Sequence, residues 1–219
     1  MKKLFLFILL ATTLNLFAHF PVIVDSNKSK GVISDVDFAP LQVGVGFFNK
    51  WQLYDGNAHS FVSVGILGLM QKSAVTSFAP INMLKKNYFL QCGLLASATE
   101  ENYFFSFALI NATHKNCGLQ LGAGNISSSD WGIQAGLINL GRQIQIGAYN
   151  IDGQIQIGIF NACDGGYDDW GINWQLGILN VAADYDSSFT FQIGLLNYNP
   201  KSYIPWLPIV NWDMGREEK

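Results

Sequence analysis

The chain has 219 residues, 49% of them hydrophobic and 14% aromatic, but only 13% charged, with a formal net charge of −3. That mild acidity argues against nucleic acid as a partner. An aromatic-rich, glycine-rich and weakly charged chain of this length suits a single all-β domain with much apolar surface to cover.

The N-terminus reads as a secretion signal over residues 1–18. Lys2 and Lys3 precede an apolar run from Leu4 to Leu10 that fades towards Phe17, and Ala18 is a suitable last residue before cleavage. Thr12, Thr13 and Asn15 interrupt a run already too short to span a bilayer, and no cysteine near the junction offers a lipid attachment. Removing the two lysines takes the net charge to −5. The sequence therefore predicts export, to the outer membrane, the cell surface or the periplasm.

A polar lead follows over 19–40, then a single β-repeat domain over 41–211, then a polar tail over 212–219. Leu41 to Asn49 reads as the first strand, with a second short strand up to Tyr54 and a turn at Asp55-Gly56-Asn57. Phe61 to Met70 alternates, with Val62, Val64 and Ile66 on one face. From Gln71 to Lys86 the pattern lapses around Pro80 and Lys85-Lys86, which predicts a long loop or a short helix. Strands resume at Tyr88 to Ala96 and Tyr103 to Asn111, linked by a polar turn at Thr99 to Asn102. In all, about ten strands with mostly short connections are expected.

From there one phrase recurs: Gln, apolar, small, two more residues, Asn. It runs Gln134 to Asn139, Gln145 to Asn150, Gln156 to Asn161, Gln175 to Asn180 and Gln192 to Asn197, with a forerunner at Gln120 to Asn125. Such repetition governs the fold. Around the copy from Gln145 to Asn150, Ile144, Ile146 and Ala148 share one parity and Gln143, Gln145 and Gly147 the other, the alternation of a strand.

Two all-β arrangements fit. In the favoured one, an antiparallel repeat meander closing as a barrel or sandwich, Asp152-Gly153 is a type I′ hairpin turn with positive φ at both residues. Ile157 then pairs with Ala148, Ile159 with Ile146 and Gly158 with Gly147, and Gln145 faces Gly136. In the alternative, a parallel β-solenoid, equal positions stack and Asn sits on Asn. The Asn spacings of 14, 14, 11, 11, 19 and 17 from Asn111 to Asn197, and the brevity of an 11-residue coil, favour hairpins. In a closed barrel the Gln/Gly face would fill the lumen and the apolar face would point to lipid. In a soluble sheet the apolar face would pack inward.

After Asn197 the style changes. Tyr203 to Trp212 sets Pro205 and Pro208 among aromatics, which predicts an edge or irregular apolar cap, because proline cannot donate to a ladder.

The recurring Gln-Ile-Gly-Leu-Leu-Asn phrase, the opening Leu41 to Asn49 with Trp51-Gln52-Leu53, and the closing Tyr203 to Trp212 resemble a bacterial surface-repeat family of the leptospiral type. Its members carry glycine-Leu-Gln-Ile-Gly-Leu-Ile-Asn units behind a signal peptide. The resemblance spans roughly Leu41 to Asn211 and is lost at Gln71 to Lys86. It implies an exported envelope or surface protein and transfers no catalytic residues.

Residues that could carry chemistry are few. His19, His59 and His114 lie far apart in the sequence. His59-Ser60 invites comparison with the Ser–His pair of membrane-barrel lipid hydrolases, but no orienting acid sits at recognisable spacing. Cys92, Cys117 and Cys163 form an odd set without metal-ligand spacing, and the first two fall on the apolar parity, as buried free thiols would. Asp164, Asp168 and Asp169 with Gly165-Gly166 make an oxygen-rich loop whose order does not match a calcium-binding EF-hand. Gly44-Val45-Gly46 lacks the third glycine of a dinucleotide fingerprint. Asn111-Ala112-Thr113 and Asn125-Ile126-Ser127 fit the glycosylation pattern, which a bacterial-type signal makes moot.

The sequence thus assigns no catalytic, cofactor-binding or metal residues, no cofactor and no small-molecule substrate. It predicts an exported envelope or surface protein, structural or adhesive, whose partner is the outer membrane or another envelope component. The alternative is a small outer-membrane β-barrel acting as a pore or lipid-modifying enzyme.

Overall fold

A computed structural model describes residues 31–33, 37–45, 51–54, 57–128, 131–142, 144–163, 172–182 and 189–213. The expected signal peptide, His19, the aspartate loop expected at 164–169 and the end of the tail lie outside these residues. The described chain is strand and turn throughout. In order, the strands are β1 (Gly31–Ile33), β2 (Phe38–Val45), β3 (Trp51–Tyr54), β4 (His59–Gly65), β5 (Gly68–Asn102), β6 (Phe105–Phe107) and β7 (Ile110–Asn116). Then come β8 (Leu119–Ser127), β9 (Ile133–Leu140), β10 (Ile144–Ile151), β11 (Ile155–Cys163), β12 (Ile172–Ala182), β13 (Phe189–Tyr198) and β14 (Trp206–Asp213).

The all-β class is as expected, but the repeat strands run parallel, as the solenoid reading has it, and no hairpin forms within the repeat from β8 to β13. Gln145 lies beside Gln134 and Gln156, and Asn150 beside Asn139 and Asn161. Ile146 pairs with Ile157, not with Ile159, and Ile157 does not meet Ala148. Gly147 does pair with Gly158, with the strands running the other way from the hairpin register. The same in-register stacking runs from β8 to β13. Antiparallel pairs occur only between β2 and β3 and between β13 and β14 among the described strands. A filled solenoid replaces the expected barrel.

Two features explain why hairpin chemistry was misleading. Asp152 does adopt positive φ, at 64°, and Gly141 does so at 138°. Each residue turns the chain at a coil connection, where a left-handed conformation suits Gly and is tolerated by Asp. The chain then enters the next coil in the same direction. The second feature is a bend inside each repeat. Gln145 and Asn150 are five apart, so a flat strand would place them on opposite faces. Both are nonetheless fully buried. The pairing passes from Gly147–Gly158 to Tyr149–Phe160 and skips Ala148, so the bend reverses parity and brings both amides inside.

The spacing differences are absorbed at the connections. Coils of 11 and of 14 residues give the same Gln-on-Gln and Asn-on-Asn contacts. The longer coils carry an additional inner ladder, Asn87 to Asn102 to Asn116, each amide donating to the next carbonyl oxygen at 2.6 Å.

Gln71 to Lys86, expected as a loop or helix, belongs to the continuous strand β5, as does the expected turn at Thr99 to Asn102. There Ser, Thr and Asn replace Gln at inner positions, with Ser73, Ser77 and Asn82 all buried, so the motif is lost but the inward polar pattern is kept. The tail forms β14, antiparallel to β13 and at the edge of the sheet, as its prolines require.

Candidate functional site: an apolar sheath around an amide core

The interior is polar. Gln120, Gln134, Gln145, Gln156, Gln175 and Gln192 are all buried, and so is the Asn of every repeat. Buried apolar packing reduces to small groups such as Leu69, Ala74, Ala79 and Leu84. Burying an amide is costly unless its donors and acceptor are matched, and here the geometry matches nearly all of them.

From Gln134 onward each Gln Nε2 donates to the Gln Oε1 of the preceding coil, at 3.1 Å from Gln145 to Gln134 and 2.7 Å from Gln192 to Gln175. It also donates across its own coil to the carbonyl six residues on, as from Gln156 to Ala162 at 2.9 Å and from Gln134 to Leu140 at 3.1 Å. Those carbonyls sit where the strand ends. Each Asn Nδ2 donates the opposite way, to the Asn Oδ1 of the following coil, at 2.9 Å from Asn139 to Asn150. Its second proton goes to the carbonyl just before the next bend, as from Asn139 to Ile146 at 3.1 Å. The two ladders therefore run antiparallel to each other along the axis, and both satisfy carbonyls at the bends and connections.

The direction of the Gln ladder has an end effect. Gln192 Oε1 finds no donor, because Asn211 stands opposite it and donates instead to the Pro205 carbonyl at 3.1 Å.

The glycine of the phrase stands at the bend. A Cβ on Gly147 would lie 2.1 Å from the Gly136 carbonyl oxygen and 2.5 Å from Asn139 Nδ2, and Gly136, Gly158, Gly177 and Gly194 repeat the arrangement. The coils approach too closely there for any side chain.

With amides inside, the apolar half of the alternation faces out. Ile133, Ile144, Ile155 and Trp174 form one exposed row. Ile146, Ile157, Leu176 and Ile193 form a second. Where the residue after a bend glycine is Leu or Ile it projects far into solvent, with Leu137 63% and Leu195 74% exposed, while Ala148 in the same place is half-buried. An open apolar groove lined by Val64, Phe78, Pro80, Leu94 and Leu109 continues the surface towards the N-terminal coils. Exposed apolar area on this scale marks an interaction surface.

The residues singled out for chemistry do not converge. His59 Nδ1 bonds the Ser73 hydroxyl, while the Ser60 hydroxyl is taken by Ser63, so His59 and Ser60 do not form a dyad. His114 is exposed on β7. Cys117 is exposed, contrary to the expected burial. It sits just past β7, outside the alternation that assigned its parity. Cys92 is half-buried and burial pushes its thiol pKa up, which disfavours the reactive thiolate. Among the described residues no group of three His, Cys, Asp or Glu side chains is placed to hold a metal ion.

Among the described residues Arg142 and Asp152 lie at coil connections, whereas Lys86 and Glu101 stand on β5, where they meet at 2.9 Å. Hydrogen bonds from Tyr103 and Lys86 hold the Glu101 carboxyl below its usual range, and the Glu101 partner raises the Lys86 pKa. The inner ladders, the bend glycines and the outer apolar rows could all have been found by asking why Gln and Asn recur at odd spacing.

No family model, curated protein or solved structure matches the chain.

Proposed function

We propose that the protein is an exported cell-envelope or surface protein with a structural or adhesive role, working through its apolar exterior and without catalysis. The observation that carries the reading is the inversion of the fold: hydrogen-bonded amides inside, rows of Ile, Leu and Trp outside. A fold that spends its apolar side chains on the surface needs an apolar partner for that surface. The N-terminal signal and the resemblance to leptospiral-type surface repeats point to the envelope as the place where that partner is found.

Fractionation of cells tests the reading. The processed chain, shorter by residues 1–18, is expected with the envelope and released by detergent. Recovery as an unprocessed cytosolic protein would overturn it.

A further inference from the structure

The six strands β8 to β13 contain not one Asp, Glu, Lys, Arg or His. Between Leu119 and Tyr198 the described members of that set, Arg142 and Asp152, both lie at connections between strands. In the earlier coils Lys86, Glu101 and Lys115 each stand five residues before an inner Gln91, Ser106 or Gln120, much as Arg142 and Asp152 precede Gln145 and Gln156, with Lys86 bonded to Glu101 and Glu101 beside Lys115 on the next coil. Each coil is two short arms joined by the glycine bend at one end and by the connection at the other. The solenoid therefore has a charged edge and, opposite it, a ridge. Leu94, Leu109, Leu137, Ile159, Ile178 and Leu195 stand on that ridge, 54–76% exposed.

We propose that the solenoid lies on its side in a lipid surface, axis in the membrane plane, with the ridge immersed and the connection edge in water. The inference rests on the envelope reading above. The pattern is that of an interfacial amphipathic element, rebuilt from strands rather than from a helix. A lipid occupant is favoured over a second copy by shape. The glycine bend that carries the ridge separates two arms, and both arms are apolar and exposed beside it, with Ile146 on one and Tyr149 on the other. A rigid partner reaches one side of such a body, and a stable dimer needs about 800 Å² from each copy. Fluid acyl chains conform to all three sides at once. Backbone groups of the arms are already paired coil to coil, as hydrocarbon demands. The described connection edge carries both signs, Lys86, Lys115 and Arg142 beside Glu101 and Asp152, so it needs no anionic headgroup and a zwitterionic lipid suffices.

Flotation of the full-length processed chain with phosphatidylcholine vesicles tests this. The parent is expected to float with the vesicles at low and high salt. Leu137→Glu combined with Leu195→Glu is expected to reduce partitioning by about tenfold per substitution, while Asp152→Asn on the opposite edge leaves it unchanged. Both ridge side chains are mostly solvent-exposed, so far-UV circular dichroism and melting should match the parent. If the double variant unfolds, Leu195→Gln alone gives the same comparison. Flotation unaffected by the ridge substitutions would overturn the proposal. So would a parent that stays in the aqueous fraction as a dimer split by Leu195→Glu, which would give the ridge to a second copy. A chain found in the cell envelope that ignores pure vesicles sinks the lipid placement alone, whereas a cytosolic chain sinks the envelope reading itself.

Discussion

At the residue scale the fold depends on what glycine leaves out and what amides put in. Gly147 and Gly124 are both strand glycines, yet their surroundings differ. A Cβ at Gly147 collides with the Gly136 carbonyl, whereas one at Gly124 meets nothing within 4 Å. Alanine has the better intrinsic propensity at both, so propensity alone predicts a gain twice. We expect Gly147→Ala to destabilise by about 1–3 kcal/mol, the usual range for overpacking. Gly124→Ala should be neutral or stabilise by up to about 1 kcal/mol. Chemical denaturation of the two variants measures the difference, and equal effects would mean that the bend is not tightly packed.

The amides offer a test with a pH sign. Asn150 donates to the Ile157 carbonyl and to Asn161 Oδ1, and accepts from Asn139. Asn150→Asp keeps the shape but removes both donors and buries a carboxyl among acceptors. Burial raises the carboxyl pKa in the folded state above its unfolded value of about 3.9. The folded state therefore binds more protons, and stability falls as pH rises through the interval between the two values. The variant should be close to the parent near pH 3 and markedly less stable at pH 7. A stability difference from the parent that does not change with pH would show that position 150 is open to water.

At the element scale the informative pieces are the repeat strand, β5 and β14. The repeat was legible as strand from its alternation, and the Gln and Asn positions were visible as fixed points. Its direction was not. Asp152-Gly153 carries the same turn chemistry at a solenoid connection as in a hairpin, because both need a left-handed residue. The odd spacing of Gln and Asn was the signal that separates the two, since only a bent strand buries both. Strand β5 escaped because Ser77, Asn82 and Thr99 serve at inner positions in place of the motif. Any small hydrogen-bonding side chain satisfies the interior there, and a motif search sees only Gln and Asn.

Strand β14 was legible as an edge element from its prolines, but its aromatics are half in solvent rather than buried. Trp206 packs on Tyr198 with ring centroids 4.5 Å apart and stays half exposed. A fully buried tryptophan cut to alanine costs about 3–5 kcal/mol. Half exposure and one ring contact argue for roughly half that, so Trp206→Ala should cost about 1–2 kcal/mol. A loss near the full core value would mean that Trp206 is covered, for instance by a partner chain in solution.

At the scale of the whole molecule everything follows from the direction of the strands. Parallel coils stack in register, which forces identical residues into ladders. Ladders of amides are stable inside because each amide both donates and accepts. Aliphatic ladders, left outside, make the surface apolar. If the strands were antiparallel, Gln would face Gly, the ladders would vanish and the apolar exterior would lose its rationale.

Crosslinking reads this directly in a chain whose Cys92, Cys117 and Cys163 are replaced by serine. One variant combines Ile146→Cys with Ile157→Cys, which are partners in the parallel register. The other combines Ile146→Cys with Ile159→Cys, which a hairpin at Asp152-Gly153 would place opposite each other. Mild oxidation or a short bifunctional thiol reagent joins cysteines whose Cα atoms lie about 4.4–6.8 Å apart. The solenoid predicts ready intramolecular crosslinking of 146 to 157 and little of 146 to 159. Efficient crosslinking of 146 to 159, with 146 and 157 left free, would contradict it.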